Sequence, residues 1–67
     1  MSTFAERLKE LREEKGISQN QLAKATGFSS GGISNWEAGK SIPNVDVIVK
    51  FVKYFECTAG YLIGTEN

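Results

Sequence analysis

The chain contains no histidine and a single cysteine, Cys57. Zinc sites built on histidine and cysteine, and nucleophilic catalysis by a cysteine–histidine pair, therefore lack their residues, and an internal disulfide is excluded. Long hydrophobic runs are missing too. None approaches the ~20 apolar residues of a membrane span, and the N-terminus has no basic segment leading into an apolar stretch, so a cytoplasmic protein without membrane contact is expected. Charge of either sign is not in excess: eight basic and eight acidic residues give a net charge of zero. That balance counts against a protein held to nucleic acid mainly by phosphate contacts. Gly31 and Gly32 are adjacent but no GxxxxGK[ST] pattern follows, so nucleotide binding has no support. The carboxylates fall on exposed helical positions, with Glu37 the exception. Neither an enzyme nor a bound cofactor or metal is expected.

What the chain does have is helix punctuation. Its 67 residues, 40% of them hydrophobic, suit one domain spanning residues 1–67. A domain of that size buries only about 60% of its unfolded surface. Ser2 or Thr3 can cap a first helix, with Glu6 near the positive end of its dipole and Phe4, Leu8 and Leu11 as its buried stripe. Gly16 suits a left-handed cap that turns Ile17 back onto the core. Ser18 caps a second helix whose buried side holds Leu22 and Ala23, and Gly27 ends it. Ser29 or Ser30 can then cap a third, carrying Ile33 and Trp36. After Gly39 an extended stretch runs to Pro43, which disfavours helix at Ile42, and Asn44 caps a fourth. Its core face is expected at Val45, Ile48, Phe51, Val52 and Phe55, with Val49 adding core contact and Val47 and Tyr54 left for a partner. Thr58 caps a last short helix carrying Tyr61 and Leu62. The helices are placed near 3–15, 18–26, 29–38, 44–55 and 58–63, an all-α fold.

The stretch from Gln19 to Gly39 forms two short helices joined by a tight glycine turn, a helix-turn-helix whose second helix can enter the major groove of DNA. Gln19, Ala23, Gly27, Ile33, Ser34, Trp36, Glu37 and Gly39 stand in the register of the phage repressor and Cro proteins, the XRE family, which this sequence resembles. The likeness extends to both flanks, ERLKELREEKGISQ before and GKSIPNVDVIVKFVKYF with GYLIG after. It implies a compact five-helix bundle of the phage repressor DNA-binding type with the helix-turn-helix at its centre. It also implies a transcriptional regulator, most simply a repressor or Cro-like protein occluding a promoter at a palindromic double-stranded operator.

The resemblance carries roles onto particular residues. Gln19 matches the family position that meets a phosphate at the start of the second helix. Ser29 and Lys40 match backbone contacts on either side of the recognition helix. Ser30, Gly31, Ser34 and Asn35 take the groove-facing positions. Of these, Asn35 has the amide that can pair with adenine through two hydrogen bonds. Lys24 is a further cation able to reach a phosphate. Arg12 and Glu37 match an ion pair that ties the first helix to the recognition helix. The sequence departs from the family pattern at Gly31 and Gly32, where larger side chains are usual, at Thr26, and at Glu56, where glycine often ends the fourth helix.

Between Gly16 and Asn44 the charged residues are Lys24, Glu37 and Lys40, a local net charge of +1. The remaining charges on the first helix, Glu6, Glu10, Glu13 and Glu14 among Arg7, Lys9 and Lys15, read as a solvated surface. A homodimer on DNA is expected, with Tyr54, Val47, Ala59 and Gly60 as candidate contacts. The neutral charge also leaves open a different class of function on the same fold, a protein-interaction module such as an antitoxin.

Overall fold

Each helix begins where a polar side chain satisfies backbone N–H groups that the helix itself cannot pair. The computed structural model describes residues 3–65, so the alternative cap Ser2 lies outside the described residues. The helices are α1 (Phe4–Glu14), α2 (Gln19–Thr26), α3 (Ser30–Glu37), α4 (Val45–Phe55) and α5 (Ala59–Ile63). Thr3, Ser18, Ser29, Asn44 and Thr58 cap them in that order, each accepting from a backbone N–H three residues on. Thr3 with Glu6 and Ser18 with Gln21 complete reciprocal capping boxes. The helices lie inside the runs read from the sequence because the flanking residues serve as caps.

Each helix is followed within two residues by a left-handed one: Gly16, Gly27, Gly39, Glu56 and Gly64. After α1 the N–H of Ile17 reaches the carbonyl of Arg12 at 3.3 Å, and after α3 the N–H of Lys40 reaches that of Asn35 at 2.9 Å. These closures turn the chain back onto the body of the molecule within two residues.

The centre is assembled from one fully buried side chain per helix: Leu8, Leu22, Ile33, Phe51 and Leu62. Phe51 is the hub. Phe28, Trp36, Phe55 and Phe4 surround its ring at centroid distances of 5.2, 5.7, 6.1 and 6.2 Å. Burying a side chain of this kind contributes about 2 to 3 kcal/mol. Because α3 packs on both α1 and α2, it rests on two supports rather than standing alone.

Two expectations fail on this core. Val45 is 73% exposed and Val49 is exposed as well, whereas Val47, left for a partner, is buried at 9%. The face of α4 centres on Phe51: at about 100° per residue, Val47, Ile48, Tyr54 and Phe55 fall within roughly 60° of it, while Val45 lies about 120° away and Val49 about 160°. Tyr54 is half-buried, edge-on to Phe55 with the Lys15 ammonium 5.1 Å from its ring centre. The second failure is Arg7. It is buried on α1, with its guanidinium 4.1 Å from the ring centre of Tyr61, so it joins α1 to α5 instead of facing solvent. Among the described residues no helix is long and apolar enough to cross a membrane.

Candidate nucleic-acid interface

The turn between α2 and α3 is set by Gly27 at φ 81°, whose N–H closes on the carbonyl of Ala23 at 2.8 Å. Phe28 then folds inward against Trp36, edge to face at 5.2 Å. Thr26, just before the turn, is buried, and its hydroxyl donates to the carbonyl of Leu22 at 2.8 Å. A polar residue is tolerated there because its own helix satisfies it.

With Ile33 buried and Trp36 and Glu37 half-buried, the remaining face of α3 presents Ser30, Gly31, Ser34 and Asn35 to solvent. A shallow groove runs between this face and the start of α2, lined by Gln19, Asn20, Ser30, Gly31 and Ser34 together with Arg12 and Ser18. Four of the expected residues, Gln19, Ser30, Gly31 and Ser34, are therefore brought together. Asn35, near the C-terminal end of α3, and Lys40, beyond it, are exposed but do not line the groove. Lys24 lies exposed in the last turn of α2 and does not line the groove. The Ser29 hydroxyl oxygen accepts from the N–H of Gly32 at 3.0 Å, so its first task is to start the helix.

Beneath the groove, three helices are joined at Glu37. Arg12 Nε donates to Glu37 Oε2 at 2.7 Å and Arg12 Nη2 to Oε1 at 3.0 Å, a two-point contact. The side chains are only 14% and 5% exposed. Arg12 Nη1 also donates to the carbonyl of Ile17 at 2.9 Å, and Gln19 Nε2 donates to Glu37 Oε1 at 3.1 Å. The hydrogen bond to Glu37 raises the Arg12 guanidinium above its ordinary value, against the opposing effect of partial burial. Glu37 thus holds α1 and α2 to α3 and fixes the amide of Gln19 by one of its N–H groups.

Two residues of this surface were not singled out from the sequence. Asn20 lines the groove next to Gln19. Lys9 borders the adjoining depression with Gln19, Ser34 and Ala38, one helical turn before Arg12. The signal for Lys9 was its spacing from Arg12, since a residue three before the α1 end of the ion pair shares its face. Chemistry of other kinds finds little footing. Among the described residues no group of three or more histidine, cysteine, aspartate or glutamate side chains is placed to hold a metal. Burial pushes the Cys57 thiol up, away from its reactive thiolate form.

The helix-turn-helix family model matches residues 8–62, spanning α2 and α3 and most of the surrounding bundle. The chain is 38% identical over 64 residues to the HTH-type transcriptional activator BcrR of Enterococcus faecalis, covering 96% of this chain and 31% of that protein. It is 43% identical over 54 residues to the HTH-type transcriptional repressor RghR of Bacillus subtilis, covering 79% of this chain and 40% of that protein. It thus spans less than half the length of either relative. The P22 c2 repressor, solved in complex with a synthetic operator, superposes with a TM-score of 0.89 at 29% identity, covering 98% of this chain and 100% of that one. This chain belongs to the helix-turn-helix family of XRE type, with the all-α architecture of a phage repressor DNA-binding domain.

Proposed function

We propose that the protein is a sequence-specific regulator of transcription that binds double-stranded DNA through α3, acts in the cytoplasm, and pairs on a palindromic operator. The observation that carries this reading is the exposed polar face of α3, held by the Glu37 network on a rigid body like that of an operator-binding repressor. Asn35 reads a base, Ser30 and Ser34 supply shorter contacts, and Gln19, Ser29, Lys40 and Lys24 meet phosphates. The simplest outcome of such binding is to occlude a promoter. As for the contacts between copies, Ala59 is exposed and available, whereas buried Val47 is not.

Selection of bound sequences from a random DNA pool, followed by affinity measurements on the selected site, tests the proposal. A palindrome with two equivalent half-sites is expected. Asn35→Ala should lose about 1 to 3 kcal/mol of discrimination at one position in each half-site. Failure to enrich any sequence, or an Asn35→Ala variant that keeps full preference at every position, overturns the assignment.

A further inference from the structure

Glycines in the helix-turn-helix unit have reasons in the fold, with one exception. Gly27 and Gly39 take φ of 81° and 74°, which side chains rarely adopt. Gly32 sits under the cap of its own helix, where a Cβ would lie 3.1 Å from the Ser29 hydroxyl oxygen. Gly31 has neither reason. It is in the right-handed helix, it is exposed, and a Cβ placed on it would meet nothing within 4 Å. Glycine is the poorest helix former after proline, so the isolated domain would be more stable with alanine there.

Nothing among the described residues accounts for the bare backbone at Gly31, which directs attention to what lies outside the domain. An α-helix with ordinary side chains is about 10 to 12 Å across, close to the ~12 Å width of the major groove. The side chains flanking Gly31 on the outer face, Ser30 and Ser34, are short. Their hydroxyls touch base edges only when the helix axis sits deep. Resting on the proposal that α3 binds DNA, we infer that Gly31 is a seating and specificity-determining position: its bare backbone lies against the groove floor and lets Ser30, Ser34 and Asn35 reach the bases.

The test is Gly31→Ala, measured by thermal unfolding and by binding to the site that the wild-type protein selects from random DNA. Tm should stay level or rise. Affinity for the selected site should fall about tenfold or more, the scale of one mismatched base pair, while binding to random DNA, which does not need the deep seat, stays within twofold. Binding to the selected site that remains within twofold of wild type overturns the inference and leaves the DNA-binding assignment standing. A wild-type protein that selects no DNA overturns that assignment itself. A lowered Tm shows that the fold needs the glycine after all, which also overturns the inference.

Discussion

Glu56 holds φ 55° and ψ 47°, the left-handed conformation that glycine holds at the ends of the other four helices. Its N–H closes on Val52, and the N–H of Cys57 reaches the same carbonyl at 3.2 Å, so the turn is formed in full despite the Cβ. A side chain in that region costs about 1 to 2 kcal/mol. Part of that is returned on substitution by the larger entropy that glycine loses on folding. Glu56→Gly should therefore raise stability by about 1 kcal/mol in a urea titration, with no change in DNA binding. A decrease would mean that the glutamate side chain holds the turn. The missing glycine was visible in the sequence, but the conformation was not, because nothing in a glutamate signals positive φ. The caps were legible for the opposite reason. Ser18, Asn44 and Thr58 carry the side-chain oxygen that a helix start requires, and each is used for it.

At the scale of elements, the sequence left the phase of α4 underdetermined. Val45, Val47, Ile48, Val49 and Val52 offer two overlapping apolar stripes, and periodicity alone does not choose between them. The observed face centres on Phe51, whose ring meets Phe28 and Trp36, and it buries Val47 one turn earlier while Val45 is left exposed. The joint between α1 and α3 was legible through family resemblance rather than through spacing, since Arg12 and Glu37 are 25 residues apart. Its third member was not foreseen: Gln19 was assigned to a phosphate, yet its amide is already tied to Glu37. Removing Arg12 leaves a carboxylate that is 5% exposed, supported among the described residues by that amide. Arg12→Met should cost about 3 kcal/mol, the lower end for a broken buried pair. Replacing both partners, as in Arg12→Met with Glu37→Leu, should recover most of the loss, because no buried charge is then left unpaired. Denaturant titrations of the single and double variants check this. A single variant as stable as wild type would reduce the pair to an ordinary surface contact worth under about 1 kcal/mol.

The whole molecule sets how it can sit on DNA. Its Cα extents are 27 × 23 × 21 Å, smaller than the separation of two half-sites, about 34 to 36 Å, on one face of the duplex. On the proposed palindromic operator, two copies of this domain centred on half-sites so spaced would share only a small contact between their described residues. Net charge was a poor guide to the binding face, because chain order does not follow surface position. Counting only residues between Gly16 and Asn44 left out Lys9, which the packing of α1 against α3 brings into one depression with Gln19 and Ser34. With Lys24 and Lys40 alone engaged, a dimer would show a slope of log affinity against log salt of roughly −3 to −4. Engagement of Lys9 from each copy steepens it to roughly −5. Lys9→Ala should accordingly flatten the slope by nearly 2 and weaken binding to every sequence alike, leaving base preference intact. The measurement is a salt titration on the selected site and on random DNA. A slope unchanged by Lys9→Ala would place that ammonium away from the phosphates, and altered base preference would place it at the base edges instead.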